Sequence, residues 1–415
     1  MQTRRSFMGK MLGGAATLAA GRGWVSARVL GANDRVRFAL IGAGGRGTEI
    51  LEVALKCPNV ECVAVADIYA RRLDEVRAVV PSAKAVSDFR RLLDDKSIDA
   101  VLIATPQHQH ALNFVPALQA GKDVYQEKTM AFNPDHARRM KRAFEGSGRV
   151  VQVGIQSTSG PEYQRVRELA TPEAMGRVTA IHTHHYRNSP YGGWMRAIPG
   201  DCDTAHVDWA AFQGEAAPHD FSGDRVINWR FYWDYSGGNV FENMVHQVCF
   251  WYKVFGLKPP ARATMSGANL LSPKMQVPDM MDVTLEQPER IFFTWNSGFG
   301  NRFLGEGYDL ALGNQGTILR NDESGEVRYV PEGGRKHEPA QAASGKPPSE
   351  TPDIVGTGDD TLPHMQNFFD CVRNRRESNC PFEIGYRSAI ACQMAITSLR
   401  LGRTVRWDAE REEIV

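Results

Sequence analysis

The stretch VRFALIGAGGRG, residues 36–47, decides the fold of this chain, because an apolar strand runs directly into a Gly-x-Gly-x-x-Gly turn. Gly42 permits the tight turn, Gly44 lets the backbone approach a phosphate, and Gly47 allows a helix to pack closely on the strand. Backbone N–H groups at the start of that helix attract an anion. The turn therefore predicts a dinucleotide site rather than a glycine-rich turn that binds nothing. Its predicted cofactor contacts are Gly42, Gly44, Gly45, Arg46 and Gly47.

A second apolar strand, Val60 to Ala66, ends at Asp67, about twenty residues beyond the glycine turn. A carboxylate at this offset holds the ribose hydroxyls of NAD. Its charge repels the ribose phosphate of NADP, so Asp67 favours NAD. Arg71 and Arg72 follow closely and keep NADP as an alternative, since arginine accommodates that phosphate.

The sequence TRRSFMGK at residues 3–10 joins two arginines to a phenylalanine, and a weakly hydrophobic run follows from Met11 to Ala20. The run is too short and too rich in Gly and Ala to span a bilayer. The pattern is typical of a twin-arginine export leader, with a small-residue cleavage site, VSA, at 25–27. We therefore predict a signal peptide over residues 1–30 and a periplasmic location. The alternative is a cytoplasmic protein that keeps a basic start.

Size and charge limit the class of protein. The chain has 415 residues, 42% of them hydrophobic, enough for two cores of ordinary domain size. It carries 49 Lys plus Arg against 48 Asp plus Glu, so its net field attracts neither nucleic acid nor an anionic membrane. We expect a small-molecule substrate, no nucleic-acid partner and no membrane anchor. The seven cysteines lack the paired spacing of a zinc site.

Two different sequence patterns divide the chain. From residue 33 to 153, short apolar runs alternate with helical segments, which predicts a doubly wound parallel sheet of the Rossmann type. From 154 to 415, the strand-like runs are longer and predict a second domain built on an open sheet. Apolar spacing there predicts a helix from Gly238 to Phe255. The segment 331–360 is rich in Pro, Gly and Ser, which predicts an exposed loop.

Two pairs of residues have side chains that can move or stabilise a proton. Glu127 and Lys128 end an apolar strand, where an ammonium can polarise a carbonyl or share a hydroxyl proton. Glu242 and His246 stand one turn apart on the predicted helix, where carboxylate and imidazole can transfer protons near neutral pH. Spacing alone leaves an alternative for each pair. The first could be a surface ion pair, and the second a packing histidine beside a solvated glutamate.

Aromatic residues cluster just before the Gly237-Gly238 loop, in the segment from Trp229 to Tyr235, and recur at Trp194. Flat apolar rings pack against the C–H faces of sugars, although they also serve ordinary cores. The predicted substrate contacts are Trp194, Arg230, Trp233 and His184. His182 and His184 share one face of a strand, but no carboxylate lies at ligand spacing, so we predict no metal site.

The succession of these motifs resembles the Gfo/Idh/MocA family, which includes glucose-fructose oxidoreductase and inositol dehydrogenase. The residues that carry the likeness are Gly42, Gly44, Gly47, Asp67, Thr105, Pro106, His110, Glu127, Lys128, Gly237, Gly238, Glu242 and His246. The resemblance implies an α/β chain in which a Rossmann domain precedes an α+β domain with a large, mostly antiparallel open sheet. It also implies cofactor contacts at Thr105, Pro106, His110, Glu127 and Lys128. Thr129 stands where the family has proline, and Glu242 where it has aspartate.

By this resemblance we expect hydride transfer between a nicotinamide and a carbon that bears a sugar or cyclitol hydroxyl. Lys128 would hold and polarise the reacting oxygen, His246 would exchange its proton, and Glu242 would fix the imidazole tautomer. An exported enzyme finds little free nucleotide around it, so we expect a tightly held cofactor. An open sheet commonly pairs with a second subunit, which predicts a dimer or tetramer.

Two alternative functions use the same residues. An NAD-dependent glycoside hydrolase would oxidise its substrate transiently at carbon 3 and release the leaving group by elimination. A non-catalytic protein would bind sugar in a nucleotide-dependent way without converting it. Release of sugar without net NADH distinguishes the hydrolase, and sugar binding without a change in nicotinamide absorbance distinguishes the binding protein.

Overall fold

The computed structural model describes residues 35–302, 309–321, 324–332, 353–354 and 359–415. The predicted leader and its cleavage site lie outside the described residues, and so does most of the predicted loop 331–360. No helix in the described ranges combines the length and the apolar character that a membrane crossing needs.

A parallel sheet forms the first domain. Its strands among the described residues are Val36–Ile41 (β1), Val60–Ala66 (β2), Lys84–Val86 (β3), Ala100–Ile103 (β4), Asp123–Gln126 (β5) and Val151–Val153 (β6). All pair in parallel, in the order β3-β2-β1-β4-β5-β6, which confirms the predicted doubly wound sheet. The strand order reverses between β1 and β4, so the carboxyl ends of these strands open a cleft for a ligand.

Helices cover both faces of this sheet, which explains why β1 is apolar at nearly every position. These helices are Gly45–Ala54 (α1), Ala70–Val79 (α2), Arg90–Leu93 (α3), His110–Gln119 (α4) and Pro134–Phe144 (α5). Phe38 and Leu40 share a core with α1, while Ile41 belongs to the core on the opposite face with α4. The alternation of side chains along β1 thus fixes a helix layer on each side.

A second sheet forms the other domain. Its strands in the described part of the chain are Val178–Tyr186 (β7), Arg262–Ala268 (β8), Met280–Glu286 (β9), Phe292–Gly298 (β10), Asp309–Gly313 (β11), Gly316–Asn321 (β12), Glu326–Pro331 (β13), Asp353–Ile354 (β14), Val405–Asp408 (β15) and Glu413–Ile414 (β16). Their order is β14-β13-β12-β11-β7-β10-β9-β8-β15-β16. Only the β7–β10 pair among these strands is parallel, so the expected, mostly antiparallel sheet is confirmed.

The helices of the remaining chain connect the two domains. They are Pro161–Leu169 (α6), Pro172–Met175 (α7), Trp209–Gln213 (α8), Gly223–Ile227 (α9), Val245–Phe255 (α10), Thr361–Asn374 (α11) and Phe382–Leu401 (α12). Helix α12 contacts α10, β8 and α5, so one core extends through both domains. Helix α11 returns to the first sheet, where the rings of Phe369 and Phe38 lie 5.4 Å apart. The first domain therefore takes part of its core from a distant part of the chain.

The stretch predicted as one helix from Gly238 to Phe255 has two parts. Residues Val240–Met244 form a π-helix, and α10 continues from Val245. A π turn closes hydrogen bonds from i to i+5 and is wider than an α turn, so side chains four residues apart no longer stack on one face. The relation between Glu242 and His246 therefore differs from the one that α-helical spacing predicts.

Candidate active site

The glycine turn after β1 has the geometry of a phosphate cradle. Gly42 has a φ of +91°, and a Cβ atom there would lie 2.9 Å from the carbonyl oxygen of Ala104. A Cβ atom on Gly47 would lie 1.9 Å from the carbonyl oxygen of Gly42, so only glycine lets α1 pack this closely. A Cβ atom on Gly44 or Gly45 would meet nothing within 4 Å. The turn leaves open space at the start of α1, where backbone N–H groups bind a diphosphate in turns of this kind.

Arg46, predicted as a cofactor contact, forms ion pairs within the protein. Its Nε donates to Oε1 of Glu127 at 2.8 Å, and a terminal nitrogen donates to Glu49 at 2.6 Å. Burial alone would lower the pKa of Arg46, but the carboxylate of Glu127 raises it above its usual value. Glu127 is 4% exposed and packs against Gly154, where a Cβ atom would lie 2.9 Å from its carboxylate oxygen. The Arg46–Glu127 pair ties the glycine turn to the end of β5.

Asp67 lies just past β2 and borders the cleft, in the position predicted for a ribose contact. Its carboxylate accepts hydrogen bonds from the backbone N–H groups of Ala43 at 2.7 Å and Tyr69 at 2.9 Å. Burial raises the pKa of Asp67, and these two donors and Arg72 oppose the rise. Arg71 binds acidic side chains and does not line the cleft. Arg72 lines the cleft beside Asp67 and pairs with Glu75 at 3.1 Å, so Asp67 favours a ribose with free hydroxyls while Arg72 keeps NADP as the alternative.

The cleft between the domains has a volume of about 1020 Å³. It extends from the glycine turn and Asp67, past Thr105 and Pro106 at the end of β4, to Trp194 and Arg230. Sites for small molecules typically measure about 300–1,000 Å³, so this cleft suits a ligand as large as a dinucleotide.

A segment of the second domain, residues 199–215, crosses the cleft, and we call it the clasp. Val207 forms a β-bridge with Tyr69, whose hydroxyl donates to Asp201 at 2.8 Å. At its other end, the carbonyl oxygen of Phe212 accepts a hydrogen bond from Nε2 of Gln109 at 2.7 Å. The clasp is therefore attached to the loops after both β2 and β4, and residues between these attachments line the cleft. No motif in the sequence marks this segment.

Lys128 extends from the first domain to the second. Its Nζ donates to Oε2 of Glu242 at 2.8 Å and to the backbone carbonyl of Glu242 at 3.1 Å. The side chains of Lys128 and Glu242 are 16% and 7% exposed. Glu127 is paired with Arg46, as described above, so the side chains of Glu127 and Lys128 do not form the surface ion pair that their spacing allows.

The carboxylate of Glu242 lies between two cations. Its Oε1 accepts a hydrogen bond from Nε2 of Gln107 at 2.7 Å and lies 3.3 Å from Nε of Arg230. Burial alone would raise the pKa of Glu242, but Arg230 and Lys128 outweigh burial and lower it to about 2. The glutamate is therefore ionised at neutral pH and holds Lys128. It does not orient His246, the role expected from the sequence, because both carboxylate oxygens are engaged elsewhere.

The imidazole of His246 has no hydrogen-bond partner among the described residues. Burial lowers its pKa well below 6.5, and the positive charges of Lys128 and Arg46 lower it further. The ring is therefore neutral at neutral pH, and one of its nitrogens can accept a proton. A neutral imidazole within the field of a lysine can bind a substrate hydroxyl.

Thr129 connects the two halves of the site. Its hydroxyl donates to the carbonyl oxygen of Phe241 at 2.7 Å, directly before Glu242. Proline has no such donor, so threonine at this position adds a hydrogen bond between the residue after Lys128 and the π-helix. His110, predicted as a cofactor contact, does not line the cleft. Its ring nitrogens lie 2.7 Å and 2.9 Å from the carbonyl oxygens of Thr129 and Thr105, so it joins the loops after β4 and β5.

The four predicted substrate contacts separate into two pairs: Trp194 and Arg230 line the cleft, whereas Trp233 and His184 do not. The guanidinium of Arg230 lies 4.3 Å from the ring centre of Trp229, which supports it beside Glu242. Trp233 and His184 contact other side chains of the second domain instead.

Gln107 is a site residue that no sequence motif predicts. Gln107 is 1% exposed, and besides donating to Glu242 it accepts a hydrogen bond from the hydroxyl of Ser236 at 2.9 Å. It directly follows Pro106 at the end of β4, and side chains at strand ends face the ligand cleft in such sheets. That position is the signal that could have identified it.

Comparison with known families shows what the first domain is similar to. Residues 36–155 match the GFO_IDH_MocA family, described as "Oxidoreductase family, NAD-binding Rossmann fold". The first domain is thus similar to the NAD-binding domain of that family. The match spans the glycine turn, Asp67 and the strand end at Lys128, so the cofactor half of the site lies within the matched residues.

Similar proteins cover this domain and part of the next. The inositol 2-dehydrogenase of Mycolicibacterium smegmatis is 30% identical over 174 residues, which are 41% of this chain and 48% of that protein. A 1-carboxy-3-chloro-3,4-dihydroxycyclo hexa-1,5-diene dehydrogenase of Comamonas testosteroni is 30% identical over 156 residues, 38% of this chain and 39% of that protein. The chain thus spans about half, or less, of the curated relatives it matches.

Solved structures of similar fold extend over both domains of this chain. Levoglucosan dehydrogenase in complex with NADH has a TM-score of 0.66 at 18% identity, over 90% of this chain and 99% of that one. The aldose-aldose oxidoreductase of Caulobacter crescentus has a TM-score of 0.66 at 17% identity, with the same coverage. At these identities the likeness shows a shared two-domain fold.

Proposed function

We propose that the protein is an NAD-dependent dehydrogenase that oxidises a hydroxyl-bearing carbon of a sugar, sugar derivative or cyclitol. One observation carries the proposal: the partly buried Lys128–Glu242 ion pair joins the two domains beside the cleft, and the charge of Lys128 acts on His246, a neutral imidazole that bonds to no described residue. Titratable groups with shifted pKa values that meet in a cleft are typical of functional sites. The names of two similar proteins, inositol 2-dehydrogenase and levoglucosan dehydrogenase, fit this type of reaction.

The residues that line the cleft fit a nicotinamide dinucleotide. Gly44 and Gly45 leave open space for the diphosphate, and Asp67 stands where a ribose hydroxyl would bind. Thr105 and Pro106 would contact the middle of the ligand. NAD, when bound, supplies the hydride acceptor for the oxidation of an alcohol carbon.

Lys128 and His246 act on the same substrate oxygen in this proposal. The ammonium of Lys128, held by Glu242, donates a hydrogen bond to the oxygen and stabilises the negative charge that develops on it. A ring nitrogen of neutral His246 accepts the hydroxyl proton. For the reverse reaction the imidazolium returns the proton to the oxygen.

We also propose that a twin-arginine leader exports the folded enzyme and that the nucleotide stays bound through catalysis, in a homo-oligomer. The clasp supports the second point, because it is attached on both sides of the cleft and covers part of it. A retained nucleotide must be reoxidised in place, either by a second sugar or by a later step on the same substrate.

The test begins with the mature chain purified from the periplasm. The protein is denatured, and any nucleotide released is identified by chromatography and mass spectrometry. Release of stoichiometric NAD supports the proposal, and release of NADP corrects the identity of the cofactor. A protein that releases no nucleotide contradicts the proposal that the nucleotide stays bound. Intact protein is then mixed with sugars and cyclitols while nicotinamide absorbance is followed.

The second step separates the functions that share these residues. Reduction of the nucleotide by a sugar or cyclitol supports the dehydrogenase. Release of sugar from an aryl glycoside without net reduction contradicts it in favour of a glycoside hydrolase. Sugar binding with no absorbance change identifies a non-catalytic protein.

A further inference from the structure

Arg187 follows β7 and lies beside Trp194, which lines the cleft. Its guanidinium carbon is 5.5 Å from the ring centre of Trp194 and 5.7 Å from that of Phe299. It donates a hydrogen bond to the carbonyl oxygen of Gly192 at 2.9 Å, and another nitrogen lies 2.7 Å from Nε2 of His185. Arginine can only donate, so that imidazole nitrogen accepts, and both partners are uncharged.

No carboxylate pairs with Arg187 in the part of the chain that the structure describes. Burial lowers the pKa of Arg187, and Glu242 is near enough for its field to oppose that effect. The carboxylate of Glu242 is already shared by Lys128 and Arg230. Three cations near the end of the cleft therefore depend on one carboxylate, while Arg46 is paired with Glu127.

A half-buried cation that no described carboxylate pairs with is costly, because the described part of the protein replaces water without supplying a paired opposite charge. Two of the five N–H donors of Arg187 are used by Gly192 and His185, which leaves donors for a further acceptor. The planar guanidinium fork binds carboxylate and phosphate groups in a bidentate way. The missing charge can therefore come from the ligand.

We propose that Arg187, together with Arg230, forms an anion subsite and that the substrate is a sugar bearing a carboxylate or a phosphate. Trp194 and Arg230 line the cleft, whereas Arg187 does not line it but lies beside Trp194 and within the field of Glu242. The subsite therefore lies on the side of the reacting residues, where the substrate and not the diphosphate would bind. The inference rests on the proposed function and narrows its substrate class from sugars in general to anionic sugars.

The test compares four probes derived from D-glucose: D-glucose itself, D-glucuronate and D-glucose 6-phosphate, which keep the pyranose ring, and D-gluconate, which is open-chain. For the nucleotide-loaded enzyme, kcat/KM and the dissociation constant by calorimetry are measured at low and high salt. The kcat/KM of a charged probe is expected to exceed that of D-glucose by about 10-fold or more. This preference should weaken as the salt concentration rises. A comparison of the two carboxylic acids with the phosphate ester shows which anion the subsite binds.

Variants then assign the preference to the residue. Arg187→Gln is expected to lower kcat/KM for the charged probe by about 10- to 100-fold while D-glucose changes by less than about threefold. Arg187→Lys restores part of the preference. Arg262→Gln, which removes an exposed arginine from β8, is the matched control and leaves the preference unchanged.

Several results overturn the inference. Equal values for charged and neutral probes do so, and so does an equal loss for both in Arg187→Gln, which would make the arginine a support for Trp194 and Phe299. Loss of the bound nucleotide in that variant assigns it to the cofactor instead. If no probe is oxidised, the proposed function fails. Salt-dependent binding of a charged probe that Arg187→Gln abolishes would still support the anion subsite, and the absence of such binding would overturn it.

Discussion

The cofactor half and the reacting half of the site are built in different ways. The cofactor half is one short stretch of backbone, in which Gly42 and Gly47 each have a local geometric reason. The reacting half combines side chains from the end of β5, the π-helix and the segment after α9, which meet only in the folded protein. A backbone site is therefore visible in sequence as spacing, whereas a side-chain site is visible only as residue types.

The largest effect is expected in the reacting half, from Lys128→Met. The variant keeps the length of the side chain but removes the charge that stabilises the substrate oxygen, so turnover should fall by about 10³-fold. The nucleotide released on denaturation should be unchanged, because Lys128 pairs with the second domain rather than with the glycine turn. Single-turnover absorbance measures the loss, and Lys56→Met on the surface is the control. Unchanged turnover would remove Lys128 from the mechanism.

In the cofactor half, two glycines of the same turn should respond differently to the same added methyl group. Gly47→Ala places Cβ against the carbonyl oxygen of Gly42, so we expect a loss of about 3 kcal/mol of stability as well as of nucleotide. Gly44→Ala meets no protein atom within 4 Å, so stability should be kept while nucleotide binding weakens. Thermal unfolding measures the stability of each variant, and the nucleotide released on denaturation measures its binding. Equal destabilisation by the two variants would contradict the cradle geometry.

Acid should weaken the bridge between the halves. The pKa of Glu242 is about 2 in the folded protein against 4.5 in the free group. A depressed pKa stabilises the fold above pH 4.5, and that contribution, about 3 kcal/mol, is lost as pH falls toward 2. Urea unfolding at a series of pH values should show this loss in the wild type and less of it in Glu242→Gln. The same pH dependence in both proteins would be evidence against the ionised carboxylate.

A smaller effect is expected at His246, where pH tests the base directly. Because the pKa of His246 lies well below 6.5, kcat/KM for oxidation should be constant above that pH and fall only in more acidic solution, where the ring becomes protonated. His246→Gln should lower the rate by about 10²-fold and abolish this acidic limb. If kcat/KM of the variant still falls in acidic solution, a group other than His246 accepts the proton.

Sequence reasoning predicts the first domain well because its signals are local. The glycine turn, Asp67 and the parallel strands follow from residues next to each other, and the three-residue strand β3 is missed because it is too short to show a period. The reacting half is predicted by residue type but not by partner. The π turn at Glu242 gives this carboxylate to Lys128 rather than to His246, and no helical spacing rule anticipates that.

Long-range contacts set the remaining limit. Helix α11 packs on the first sheet although it lies in the C-terminal part of the sequence, and the clasp carries no motif. Arg187 looks like any arginine after a strand until the structure shows that its partners are uncharged. Such features depend on which segments meet, and only the folded chain determines that.

A crystal structure of the protein with NAD and an oxidisable sugar tests the proposed chemistry directly. We predict that the diphosphate lies over Gly44 and that Nζ of Lys128 and a ring nitrogen of His246 both lie about 3 Å from the same substrate oxygen. A nucleotide bound elsewhere, or a substrate oxygen that neither side chain reaches, would contradict the account.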